Sequence, residues 1–122
     1  MRFMIMVKAT ADSEAGVMPS EEMLNDMAKY NEELVRAGIM LDGSGLQPSA
    51  KGARVRFQGK RRTVIDGPFA EAKELIAGFA ILEVDSLAEA VEHARRFALL
   101  VGTHRVDVRK VVEFDDLQTR PQ

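Results

Sequence analysis

The sequence predicts a single α+β domain, an antiparallel sheet with two helices on one face, and three observations carry that reading. The chain has 122 residues, 46% hydrophobic and 30% charged, the size and balance of one globular domain with an ordinary apolar core. Its apolar residues switch between strand and helix periods in the order β-α-β, hairpin, β-α-β. Capping and stop residues stand where that order needs them.

Phe3 to Val7 is a short apolar run with residues facing both ways, as in a buried strand. Ala11 to Pro19 carries Asp, Ser, Gly and Pro and is expected to be a loop. Ser20 then caps a helix whose first turn holds Glu21 and Glu22 at the positive end of its dipole. Met23, Leu24, Met27, Tyr30, Leu34 and Val35 repeat at helical spacing, and Gly38 supplies a left-handed stop. Ile39 to Pro48 is expected as a strand, with a bulge or close approach at Gly43-Ser44-Gly45.

Ala53 to Phe57 and Arg62 to Ile65 flank Gln58-Gly59-Lys60 and form a hairpin. Asp66-Gly67-Pro68-Phe69 breaks the second hairpin strand, and Ala70 to Glu74 suits one helical turn. Leu75 to Val84 is a long apolar strand. Ser86 and Glu89 form a capping box for a second amphipathic helix through Val101. Arg105 to Phe114 alternates as a half-exposed strand, and Asp115 to Gln122 is a polar tail expected to fray. Two split β-α-β units with both helices on one face make a ferredoxin-like sandwich with a β-hairpin insertion over residues 1–114.

Composition removes several function classes. There are 17 basic and 19 acidic side chains, a formal charge of -2, so no global field draws the chain onto nucleic acid or an anionic membrane. Without cysteine there is no disulfide, thiolate metal site or cysteine nucleophile. His93 and His104 have no metal-ligand spacing to each other or to carboxylates, so neither metal nor cofactor is expected. His93 falls off the apolar stripe of its helix and is expected at the surface. No apolar run reaches the length of about twenty residues that a membrane span needs. The first residues are too short a run for a signal peptide, and a cytoplasmic location is expected.

Both alternating sets of Leu75 to Leu82 are apolar, and Met4 and Met6 oppose Phe3, Ile5 and Val7. Two helices bury only one of these faces, so a homodimer joined sheet to sheet is expected to cover the other.

The densest polar constellation is DGPFAEAKE, from Asp66 to Glu74, reinforced upstream by GSGLQPS from Gly43 to Ser49. These strings on a β-α-β framework resemble the DGPF branch of the YciI-related proteins. The resemblance implies a dimeric α+β barrel similar to muconolactone isomerase and small cofactor-free monooxygenases, with a small-molecule cavity between sheet and helices. It also implies a link to sigma factors, since relatives are encoded beside them or fused to them. Relatives read as enzymes carry a His–Asp pair with the histidine in the first helix. Here that helix has no histidine; its nearest polar candidates are Tyr30 and Asn31.

An acid–base role then passes to Asp66, assisted by Glu71 or Lys73, with a carboxyl pKa raised by burial. The bland alternative makes Asp66 a turn residue accepting backbone N–H groups at the Gly67-Pro68 corner, and Lys73 a surface cation. Ser44, Gln47 and Ser49 could offer hydrogen bonds to a ligand, with Phe69 beside them; the alternative leaves these polar groups solvated around a bulge and puts Phe69 in the core. Lys51, Arg54, Arg56, Lys60, Arg61 and Arg62 form a basic hairpin patch. It is either a charge-protected edge or a surface that touches nucleic acid or an acidic protein partner, such as one linked to sigma factors. The two function classes are therefore a small-molecule-binding protein, as a cofactor-independent acid–base enzyme, and a non-enzymatic interaction protein.

Overall fold

The computed structural model describes residues 1–70, 74–103 and 105–118. Six strands and four helices occur among them: β1 Arg2–Lys8, α1 Ala11–Glu14, α2 Glu21–Arg36, β2 Met40–Gly45, β3 Ala53–Gln58, β4 Arg61–Asp66, β5 Ile76–Glu83, α3 Leu87–Val101, β6 Val106–Lys110 and α4 Phe114–Gln118. The main sheet runs β2-β5-β1-β6 and every pairing in it is antiparallel. This is the order of a split β-α-β fold, and β3-β4 stands apart as a two-stranded ribbon.

Local chemistry sets the boundaries. The Ser20 hydroxyl accepts the Met23 N–H and opens α2. At the other end Gly38 takes φ 73°, and Ile39 N–H closes onto the Leu34 carbonyl at 2.9 Å. Ser86 caps α3 through the Glu89 N–H, but Glu89 reaches back to the Asp85 N–H rather than to that of Ser86. Gly59, at φ 60°, is the first of two residues joining β3 to β4, where strand twist favours a positive φ.

Three expectations are corrected. The loop after β1 contains a one-turn helix, α1, because Thr10 and Ser13 cap each other reciprocally. The bulge in β2 falls between Met40 and Asp42, one step before the glycines, whereas the close approach expected at Gly43-Ser44-Gly45 is present, a Cβ on Gly78 standing 3.0 Å from the Ser44 carbonyl oxygen. The last strand ends at Lys110, and α4 follows where a frayed tail was expected.

The core lies between the sheet and the two long helices. Phe3, Ile5, Ala80 and Leu82 point to the helices and meet Tyr30, Leu34, Ala90, Ala94 and Phe97. Ile5 and Leu82 are fully buried, each stabilising the fold by roughly 1.5–3 kcal/mol through apolar burial. Alternation puts Met4, Met6, Phe79 and Ile81 on the opposite face, where they are half-buried and no helix covers them.

Candidate functional site

The 66–75 segment ends where four strands of the sheet converge. The Ala9 N–H donates to the Leu75 carbonyl at 2.9 Å, and Leu46 N–H to that of Ala77 at 2.7 Å. Lys8 Nζ donates to the Glu74 carbonyl at 3.4 Å. The same Nζ lies 3.8 Å from Asp107, whose carboxylate also receives Arg105 at 3.2 and 3.3 Å. Arg105 holds the Asp107 carboxyl below its ordinary range, with a smaller push from Lys8.

One turn of helix carries the next contact. α1 places the Glu14 carboxylate against Ser49, where it accepts the Ser49 N–H at 3.0 Å and the Ser49 hydroxyl proton. Ser49 Oγ in turn accepts the Phe69 N–H at 3.1 Å. Two residues earlier, Gly67 N–H donates to the Gly52 carbonyl at 3.0 Å. A Cβ on Gly67 would stand 1.7 Å from the Ser49 carbonyl oxygen, so the backbones touch where only glycine fits. The Gly67–Pro68 peptide is cis. The Arg54 guanidinium lies 4.3 Å above the Phe69 ring centroid, a cation–π contact from the hairpin onto the loop. The two sequence motifs are thus one interlocked corner, closed by Glu14 from a third segment.

The corner gathers some of the expected residues and not others. Asp66 ends β4 opposite Ala53, and its carboxylate is exposed with no hydrogen-bond partner among the described residues. It does not accept backbone N–H groups in its turn, as the structural reading of Asp66 expected. Phe69 is half-buried in the corner. Ser44 is exposed in β2 opposite Phe79, and Gln47 is exposed in the following loop; the residue of that segment that reaches Phe69 is Ser49. Glu71 and Lys73 lie outside the described residues, as does most of the helical turn expected at 70–74.

Sequence reasoning missed Glu14, Lys8 and the stacking role of Arg54. Lys8 could have been found, because it continues the Met4-Met6 alternation onto the uncovered face. Nothing near Glu14 in sequence signals its partner 35 residues away.

His93 is a further correction. It is half-buried between the helices, and Tyr30 Oη lies 2.8 Å from its Nδ1. Burial pushes the Tyr30 phenol up, opposed by Arg96, and burial with Arg96 pushes the His93 imidazolium down. Tyr30 also meets the Phe97 ring edge to face at 5.1 Å. The pair therefore fastens α2 to α3.

Two hollows on the described surface lie away from the motif corner. One, of about 630 Å³, runs between α3 and β6 past Val91, Ala94, Val106 and Val108. A second, of about 410 Å³, lies between α2 and α3 beside Tyr30, Arg96 and Leu99. Neither hollow touches Asp66, and residues 71–73, which follow it in the motif, lie outside the described residues. Among the described residues no cluster of three or more His, Asp or Glu is placed to hold a metal, and no helix is long and apolar enough to cross a membrane.

Comparison with known proteins gives three findings. The family model of the YCII-related domain matches residues 1–115. An uncharacterised protein of Rhizobium meliloti is 35% identical over 75 residues, which are 62% of this chain and 60% of that relative's length. Among solved structures, the 5-chloro-2-hydroxyhydroquinone dehydrochlorinase of Burkholderia phenoliruptrix, in complex with 2,5-dihydroxybenzoquinone, shares the fold with a TM-score of 0.51 at 16% identity. That match covers 94% of this chain and 97% of the other.

Proposed function

Because the chain belongs to the YCII-related family, we propose that it binds a small molecule at the motif corner and acts on it by acid–base chemistry without a cofactor. The DGPF loop is the platform in this reading, and Asp66 is the general acid–base. The observation that carries it is the state of the Asp66 carboxylate. The loop's shape is held by Glu14, Ser49, Gly52 and Arg54, and Asp66 stands exposed at the end of β4, two residues before the cis Pro68 that leads into Phe69. In this proposal the Asp66 carboxylate takes a proton from a hydroxylated ring bound at the corner. Glu71 and Lys73, two and four residues after Phe69, are the assisting groups in this proposal.

In this reading the corner gains a wall when a second chain packs on the uncovered sheet face. A dimer of the α+β barrel type provides that wall, and Met4, Met6, Phe79 and Ile81 are the apolar residues it would cover.

The test is direct binding of 2,5-dihydroxybenzoquinone, the compound held by the structural neighbour, followed by calorimetry and by optical change on turnover. Asp66→Asn is expected to keep its melting temperature, since the carboxylate makes no bond to lose, while turnover falls at least tenfold. An unfolded Asp66→Asn protein would restore the turn role, and an equally active one would remove Asp66 from the chemistry.

The exposed basic side chains Arg56, Lys60, Arg61 and Arg62 favour a second reading, a non-enzymatic accessory that docks on an acidic protein in sigma-factor-linked transcription. Under it, Arg56→Glu with Arg61→Glu abolishes binding to a purified cognate sigma factor and Asp66→Asn has no effect.

A further inference from the structure

Two elements of this chain present exposed apolar side chains, one with mainly basic residues of its own and the other with acidic ones. In the β3-β4 ribbon, Val55 pairs with Val64 and Phe57 with Arg62, which sets Val55, Val64 and Phe57 on one face. That face is uncovered, with Phe57 69% exposed. Arg62 shares that face, Lys60 stands at the turn, and Arg56 and Arg61 are exposed on the reverse; the one acidic residue of the ribbon, Asp66, lies at its far end opposite Ala53. In the last element, Val112, Phe114 and Leu117 are exposed, Phe114 at 72%. Residues 111–118 contain Glu113, Asp115 and Asp116 and no basic residue. Glu113 and Asp116 are held in place by Arg2 and Lys110.

Topology keeps these elements apart within one chain. The ribbon leaves the sheet beyond the end of β2 and returns to the start of β5, at the end of the sheet where β1 finishes. α4 leaves beyond the end of β6, where β1 begins, as the Val111 N–H bond to the Arg2 carbonyl shows. Since β2 and β6 are the two edge strands, the ribbon and α4 occupy diagonally opposite corners. When two sheets face each other about a two-fold axis along the other diagonal, each ribbon falls on the partner's α4 and the strands of the two sheets cross near a right angle, a known way for sheets to pack.

We propose that the ribbon of one protomer clasps the 111–118 segment of a second copy, Phe57, Val55 and Val64 against Phe114 and Leu117, with the arginines around Asp115 and its acidic neighbours. This rests on the dimeric reading above and adds the contact that fixes the dimer's register. A lone two-stranded ribbon is marginal in water, and this contact gives its apolar face a cover. Symmetry makes the contact occur twice, so a charge reversal counts twice.

The experiment is a charge exchange on the full chain, read by sedimentation equilibrium. Arg56→Glu with Arg62→Glu is expected to weaken self-association roughly tenfold or more, and so is Asp115→Lys. An equimolar mixture of the two proteins regains the wild-type mass, because the mixed dimer matches charge at both contacts. Circular dichroism verifies folding, and Lys60→Glu with Arg61→Glu at the turn replaces the first variant if it fails to fold. Variants that dimerise alone as tightly as wild type, or a mixture that stays monomeric, overturn the contact while leaving the dimer standing. A monomeric wild type overturns the dimer itself, and assemblies growing past two overturn the two-fold arrangement.

Discussion

At the contact between Gly67 and Ser49, a single methyl group decides the shape of the motif corner. A Cβ at position 67 would sit 1.7 Å from a backbone oxygen that is itself fixed by Glu14 through the rest of Ser49, so neither side has room to give. Gly67→Ala is expected to cost about 1–3 kcal/mol by overpacking. Ser49→Ala removes the acceptor of the Phe69 N–H and one of two donors to Glu14, a loss of about 1–3 kcal/mol for groups left part-buried without partners. Urea melts measure both, and a Gly67→Ala protein as stable as wild type would show that the corner is not packed this way. The sequence announced a turn at Asp66-Gly67-Pro68 and was silent on its construction. Turn residues advertise local geometry, whereas the bond from Glu14 to Ser49 joins segments that meet only after the sheet has formed. The same reason hid the Arg54 contact: alternation put Arg54 on a hairpin face, and only the loop's return put Phe69 under it.

Elements were legible where a cap, a period and a stop agreed, as in α2 from Ser20 to Gly38, and the hairpin was legible to within a residue, its turn being Gly59-Lys60 rather than Gln58-Gly59-Lys60. They were misread where reciprocal Thr10–Ser13 capping made a helix too short to show a period, and where alternation ran on past Lys110. His93 was misplaced for another reason, since a helical stripe marks apolar contacts and this residue meets Tyr30 through a polar one. That contact predicts a pH response. Burial and Arg96 lower the folded-state pKa of His93, so the unfolded chain binds a proton more readily. The contribution is fully present above the unfolded value of about 6.5 and is lost as pH falls through the lower folded value. The imidazolium forms partly buried against Tyr30 and beside the Arg96 guanidinium, which is what disfavours it. As pH falls below about 6.5, wild type is expected to lose stability more steeply than His93→Gln, measured as urea midpoints of the two proteins at matched pH. Parallel slopes would mean that the α2–α3 fastening does not depend on the protonation of His93.

For the molecule as a whole, the decisive feature is a sheet apolar on both faces with helices on one. Neighbouring residues of β5 separate the two faces: Leu82 is fully buried against the helices, while Ile81, paired with Met4, looks the other way and is half-buried. Alternation made this division readable from the sequence, but what lies over the second face is a property of two chains and has no signature in one. Leu82→Ala empties a packed site and is expected to cost about 2–5 kcal/mol in the folding of the chain itself. Ile81→Lys adds a charge where its stem can lie on the surface and its ammonium reach water, so the folded chain survives with a change of about 1 kcal/mol or less. If a second copy covers the face, the two substitutions part company when protein concentration is varied. Association stabilises the native state by mass action, so the melting temperatures of wild type and Leu82→Ala rise together with concentration, the latter from a lower start. Ile81→Lys buries a lysine at the sheet–sheet contact, loses that coupling, and melts at one temperature across the whole range. A wild-type melting temperature that is itself independent of concentration would show that nothing docks on this face, and the motif corner would then have to bind its ligand in the open.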